Sequence, residues 1–174
     1  MPAMLESALR PASIAVVGAS DNPHKVGGRP LLYLKRYGYR GAIYPVNPAR
    51  SEVQGLRAFP ALADLPEAPE LAVVAVAGDE AVHAVEACAA RGVKVVVVMT
   101  SGFGETGEAG LAKQNRMLAA ARGAGMRLIG PNCQGLANFA TGTVANFSTI
   151  FHELEGRDGP VAIVSQSGAN SQAI

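Results

Sequence analysis

The sequence is poor in several things that would each point to a definite class of protein. It has no tryptophan, and aromatic residues make up only 5% of its 174 positions. Two cysteines, Cys88 and Cys133, supply neither a disulfide framework nor a structural zinc site. Charged residues are 17% of the chain and the formal net charge is +1, so no basic stripe marks a nucleic-acid footprint and no partner of strong charge is implied. No apolar run approaches the ~20 residues that cross a bilayer. The opening "MPAMLESALRPAS" lacks the apolar stretch of a secretion signal. These absences lead to the expectation of a cytoplasmic protein with reduced thiols, no metal site, no membrane partner and no nucleic-acid partner.

What is present is a strict alternation of β-branched runs and longer helical patterns, the signature of βαβ units. "SIAVVG" (13–18), "GAIYPV" (41–46), "LAVVAVA" (71–77), "VKVVVVM" (93–99) and "MRLIG" (126–130) are expected strands. Two of them, 71–77 and 93–99, are apolar on both faces, which a strand tolerates only between two covering layers. The sheet is therefore expected to be parallel. Residues 27–38, 79–91 and 107–123 carry helical periodicity and each ends near a glycine: Gly38, Gly92, and Gly123 or Gly125. The Pro- and Ala-rich stretch 47–70 leaves room for at most one short helix, around "FPALADL". The expected fold class is α/β, a Rossmann-like parallel sheet with helices on both faces.

In such a sheet ligands bind beyond the carboxyl ends of the strands. The loops there are "GASDNPHKVGG", "NPARSEVQG", "GDE", "TSGFGETGEAG" and "GPNCQG". Gly18 allows a sharp turn, Ser20 can donate a hydroxyl, Gly27 and Gly28 open a helix whose positive end can face a phosphate, and Lys25 adds a full charge. Taken singly, each glycine is equally well explained as a tight turn. Four such loops at one sheet edge shift the balance to a phosphate-bearing ligand. The dinucleotide fingerprint G-x-G-x-x-G is absent, the second strand ends in Val46, Asn47 and Pro48 without a carboxylate for a ribose, and there is no Walker motif. NAD and P-loop nucleotides are disfavoured on these grounds.

The phrases "VVGASDNPHKVGG", "IYPVNP", "ELAVVAVAG", "SGFGETGEAG", "GPNCQGLAN" and "GPVAIVSQSGA" occur in the order and near the spacing of the CoA-binding domain of NDP-forming acyl-CoA synthetases, relatives of the succinyl-CoA synthetase alpha subunit. The chain resembles that family over residues 12–174. The resemblance implies a coenzyme A site: Gly18, Ala19, Ser20 and Lys25 toward the phosphates, Val46, Asn47 and Pro48 beside the adenosine, and Ser101, Gly102, Phe103, Asn132 and Cys133 toward the pantetheine and its thiol. Glu105 matches the fourth motif, with helix capping and ligand holding both open to it. The chain departs from the family at Ala49, where a lysine is common and where Arg50 follows, and at Ala77, where a proline is common.

The same resemblance implies that residues 1–150 form the CoA-binding domain and that 151–174 are a linker and the first strand and helix start of a second domain. In that second domain Ser165, Ser167 and Gly168 would form a phosphate site at a helix N-terminus. The implied activity is that of an acid–CoA ligase. Its phosphorylated histidine, its ATP-grasp portion or subunit, and its NTP/NDP and Mg would belong to other parts of a longer enzyme, and a homo-oligomer is compatible with this. No residue of the chain itself is expected to be catalytic. His24, His83 and His152 have no carboxylate neighbours of a triad or metal pattern, and Cys133 is expected to be a small packing residue. The rival from another class is a CoA-sensing module without catalysis, or the regulatory part of an acetyltransferase fusion; an NAD-binding Rossmann protein is a third reading.

Overall fold

A computed structural model describes residues 3–153 and 155–168. Five strands form a parallel sheet: β1 (Ser13–Val17), β2 (Ala42–Val46), β5 (Leu71–Val74), β6 (Val95–Val98) and β7 (Arg127–Ile129), in the spatial order β2-β1-β5-β6-β7. The order reverses between β1 and β5, whose registers run Ile14 opposite Leu71 to Val17 opposite Val74. Such a reversal opens a crevice at the carboxyl ends of the two strands. All four residues of β5 and all four of β6 are buried, which explains their unbroken β-branched composition. Two further pairs lie outside the sheet: the hairpin β3 (Glu52–Val53) and β4 (Leu56–Arg57), and the hairpin β8 (Gly135–Asn138) and β9 (Thr143–Asn146).

One face of the sheet is covered by α3 (Gly78–Arg91) and α4 (Glu108–Gly123), whose Val82, Val85, Cys88, Met117 and Ala121 pack on Ala15, Ala72, Val74, Val96 and Val98. The other face carries α2 (Arg29–Arg36), the short α1 (Ala3–Leu9) and the β8–β9 hairpin, with Leu31, Leu34, Ala8 and Ala145 against Ile14, Val16, Val73 and Val97. The hairpin is tied to α1 by the Asn138 amide, which donates to the Leu9 carbonyl at 2.8 Å, and the segment that follows it is tied to α2 by the Tyr33 hydroxyl, which donates to the Ser148 carbonyl at 2.8 Å.

The five strands and three long helices stand where the sequence places them, with strand ends one to three residues shorter. Gly92 caps α3 in the left-handed conformation at φ 85°, and Gly38 and Gly125 turn the chain after the other two helices at φ 72° and 66°. The stretch 47–70 holds more than expected: a 3-10 turn at Leu62–Asp64 and also the β3–β4 hairpin. One expectation is corrected. Residues 160–165 form no strand, and Val161 and Val164 are 80% and 100% exposed. A single parallel strand has nothing to pair with unless neighbours supply its ladder, so its β-branched composition does not suffice. Residues 155–168 contain no helix or strand, and the expected helix start beyond Gly168 lies outside the described residues. Among the described residues no helix is long and apolar enough to cross a membrane.

Candidate functional site

The first loop leaves β1 at Gly18, which has φ 80°; a Cβ there would sit 2.6 Å from Val76 Cγ1. The Gly18 and Ala19 N–H groups both donate to the Val46 carbonyl, at 3.1 and 3.2 Å, and so fasten the loop across the end of β2. The loop then folds on itself, with the Ser20 N–H donating to the Gly27 carbonyl at 3.2 Å. Gly27 is packed so closely that a Cβ would collide with the Gly18 carbonyl, and Gly28 stands in the same relation to the Asn22 carbonyl. Gly27 and Gly28 are therefore required by backbone packing in the loop and Gly18 by its left-handed φ, which accounts for their presence whatever the loop holds.

The result is a cleft of about 470 Å³ lined by Gly18, Ser20, His24, Lys25, Gly27 and Arg29, with Ala75 of the third loop as its floor. Ser20 Oγ accepts from the Asn22 N–H at 3.2 Å, which leaves its hydroxyl proton free for a ligand. The N-terminus of α2 has no side-chain cap, but its Gly28 and Arg29 N–H groups donate to the Lys25 carbonyl at 2.9 and 3.0 Å and Pro30 has none, so the helix adds its dipole rather than free donors. Arg29 directs Nη1 to the Phe147 carbonyl at 3.0 Å, so that cation is anchored at the cleft wall. His24 is exposed and its ring lies 5.9 Å from that of His152.

Asn47 joins the second loop to the first. Its Nδ2 donates to the Ala19 carbonyl at 2.9 Å, while its Oδ1 accepts from the Ala49 N–H at 2.8 Å. Val46 is buried, and Pro48 follows at the turn. Ala49 is exposed, and Arg50 swings toward the first loop, with Nη1 3.8 Å from Asp21 Oδ2.

The later loops continue the same edge. The Thr100 hydroxyl donates to the Val76 carbonyl at 2.8 Å, the Asn132 N–H to the Thr100 carbonyl at 2.9 Å, and the Cys133 N–H to the Val98 carbonyl at 3.3 Å. Ser101 is exposed, but Phe103 is fully buried in the core, so its side chain is structural. Glu105 accepts from the Gly102 N–H at 2.6 Å and the Phe103 N–H at 3.2 Å. Those backbone donors hold its carboxyl below the ordinary value. Glu105 thus braces the loop that precedes the 3-10 turn Gly104–Thr106, and the expected helix cap is not formed, since α4 starts at Glu108 with no side-chain cap. Cys133 is half-buried among apolar neighbours, and its Sγ accepts from the Gly135 N–H at 3.4 Å.

The exit segment comes back to this edge: Gly168 lies against the Gln134 side chain, and the Ser165 hydroxyl donates to the Ser167 carbonyl at 2.8 Å. The structure thus gathers Gly18, Ala19, Ser20, Lys25, Asn47, Ser101, Asn132 and Cys133 along one sheet edge. The sequence did not reveal Ala75, Arg29 or Gln54, which line or brace the first loop. A pocket alanine carries no chemical signal, and the other two belong to segments with other evident tasks. A second cleft, about 650 Å³, lies at the opposite end of the sheet between Arg10, Tyr39, Arg40 and Phe139. It is at the amino ends of the strands, where open parallel sheets do not build ligand sites.

Comparison with known proteins supplies an independent line. The family model described as CoA binding domain matches residues 12–138. The alpha subunit of an ADP-forming acetate–CoA ligase II of Pyrococcus furiosus is 40% identical over 166 residues, covering 95% of this chain and 35% of that subunit. Among solved structures, a Pyrococcus horikoshii protein superposes with a TM-score of 0.88 at 39% identity, over 97% of this chain and 38% of its own. An acetyl-coenzyme A synthetase of Candidatus Korarchaeum cryptofilum, solved with phosphate and ADP, gives 0.81 at 35% identity, over 97% and 35%. The chain spans about a third of the length of these relatives.

Proposed function

The chain belongs to the CoA binding domain family, and from that premise we propose that it is the coenzyme A-holding portion of an NDP-forming acyl-CoA synthetase. The observation that carries this reading is the hydrogen-bonded lacing of the five loops into one edge, with the Ser20–Lys25 cleft at one end and Cys133 toward the other. In this reading the cleft takes the phosphates, with the Ser20 hydroxyl and the Lys25 ammonium as donors and the dipole of α2 as a source of positive potential. The turn at Val46, Asn47 and Pro48 borders the adenosine. The loops around Ser101 and Gly102 and around Asn132 and Cys133 flank the pantetheine, with Phe103 supporting its loop from the core.

The proposed reaction interconverts acid, CoA and NTP with acyl-CoA, NDP and phosphate. A phosphate oxygen attacks the thioester carbonyl, the C–S bond breaks, and the CoA thiolate leaves behind an acyl phosphate. Phosphoryl transfer to a histidine and then to NDP is assigned to other parts of a longer enzyme, which also hold the nucleotide and Mg. Residues 1–150 form the CoA domain in this scheme, and 151–174 lead into a second domain. Ser165, Ser167 and Gly168, the last of them beside Gln134, would receive the phosphate there. What this chain adds is orientation, holding the thioester against that phosphate, rather than acid–base chemistry. The work would be done in the cytoplasm.

The test is a calorimetric titration of the chain with CoA, dephospho-CoA and NAD. CoA should bind more tightly than dephospho-CoA, and NAD far more weakly than either. Equal affinity for NAD and CoA contradicts the proposal.

A further inference from the structure

The β3–β4 hairpin is closed by two residues, Gln54 and Gly55, since Val53 pairs with Leu56. Both have positive φ, 50° and 78°. A two-residue turn of that kind favours asparagine, aspartate or glycine at its first position, because these reach the left-handed region at low cost. Glutamine does not share that advantage, so the turn alone does not account for Gln54.

Its hydrogen bonds do. Gln54 Nε2 donates to the Ser20 carbonyl and to the Gly28 carbonyl, both at 2.9 Å, and these two residues stand at the start and the end of the first loop. The Gln54 N–H donates to Asp21 Oδ1 at 2.8 Å, and the Gln54 carbonyl accepts from Lys35 Nζ at 2.7 Å. The residue is thus fixed to α2 and reaches across both flanks of the loop with one two-proton nitrogen. An asparagine would suit the turn better but is one methylene shorter. The Ser20 and Gly28 carbonyls are both engaged by the hairpin, and Ser20 is held in place with them.

We propose that Gln54 is a positioning residue for the anionic ligand of the first loop: it does not touch that ligand, but it braces the loop in its binding shape before the ligand arrives. The inference rests on the CoA reading given above. Preorganisation of this kind appears as affinity because the cost of ordering the loop is met before binding.

Three variants of the chain, Gln54→Gly, Gln54→Asn and Gln54→Glu, test it by calorimetric titration with CoA. Glycine and asparagine both suit a left-handed turn, so those variants should melt within a few degrees of the parent. Loss of two hydrogen bonds to the loop should nevertheless weaken CoA by about tenfold. The Gln54→Glu variant sets a carboxylate against two carbonyls at pH 8 and should lose more affinity there than Gln54→Asn. Parent-like affinity in Gln54→Gly and Gln54→Asn overturns the proposal, as does a Gln54→Glu affinity equal to the parent's. A parent chain that itself fails to bind CoA overturns the CoA reading as well, so the two failures are told apart.

Discussion

The side-chain amide of Asn47 donates to the carbonyl of Ala19 at 2.9 Å, and this bond joins the turn after β2 to the loop after β1. Its Oδ1 closes the turn at the same time through the Ala49 N–H. Replacing Asn47 with alanine removes both bonds and should cost about 1–3 kcal/mol of stability in urea denaturation. CoA affinity should fall with it. The Asn47→Asp variant keeps the acceptor for Ala49 but sets a carboxylate against the Ala19 carbonyl, so it should retain the turn and still bind CoA less well.

Gly27 and Gly38 offer a matched pair. A Cβ on Gly27 would meet the rigid backbone carbonyl of Gly18, whereas one on Gly38 meets nothing within 4 Å and contends only with φ 72°. Gly38→Ala should therefore cost about 1–2 kcal/mol, the ordinary penalty of a left-handed alanine. Gly27→Ala should cost distinctly more and abolish the first-loop cleft. Urea midpoints of the two variants measured side by side check the order.

Acid titration addresses Glu105. Its carboxyl is held below the ordinary 4.5 by the backbone N–H groups of Gly102, of Glu105 itself and of Phe103. A depressed folded value means that its stabilisation is complete above about pH 4.5 and is lost as pH falls through the lower folded value. Glu105→Gln should melt below the parent at neutral pH, and the gap should close on acidification. Melting curves from pH 7 to pH 3 measure it, and a gap that stays constant excludes the stabilising role of these loop contacts.

The two thiols should differ in reactivity. Burial pushes the Cys88 thiol up to about 12 and removes it from solvent, so it should resist alkylation at pH 8 until the chain unfolds. Cys133 is partly exposed at the sheet edge and should be labelled in the native state, more slowly when CoA is bound. Mass spectrometry of iodoacetamide-treated protein reads both. Cys133→Ala should fold with a loss of about 1 kcal/mol or less and keep CoA binding, as a packing residue would.

The sheet and its long helices were legible in the sequence because burial on two faces demands long β-branched runs, and amphipathic helices demand a regular period. The hairpins were not. β3–β4 has only two residues a side, too few for any alternation, and "GLANFATGTVAN" over β8 and β9 offers little beyond its turn residues. The short α1 carries no cap signal that stands out from its surroundings. For the site, Gly18, Ser20 and Asn47 stood out because loops that turn sharply need those residue types. Phe103 matched the family motif, but its burial followed from packing that no local pattern encodes. Gln54 was hidden because its task depends on a loop more than twenty residues away. Residues 160–165 show the opposite failure, since their composition asks for a strand but a parallel strand also needs neighbours.

In the proposed function coenzyme A lies along the carboxyl edge of the sheet. Backbone amide NMR of the isotope-labelled chain, followed through a titration with CoA, locates it. The largest shift changes should fall at Gly18, Ser20, Lys25, Asn47, Ser101 and Asn132, with little change at Arg10, Tyr39 and Gly142 around the cleft at the opposite end. Changes concentrated at Arg10, Tyr39 and Gly142, with the first loop unmoved, would contradict it.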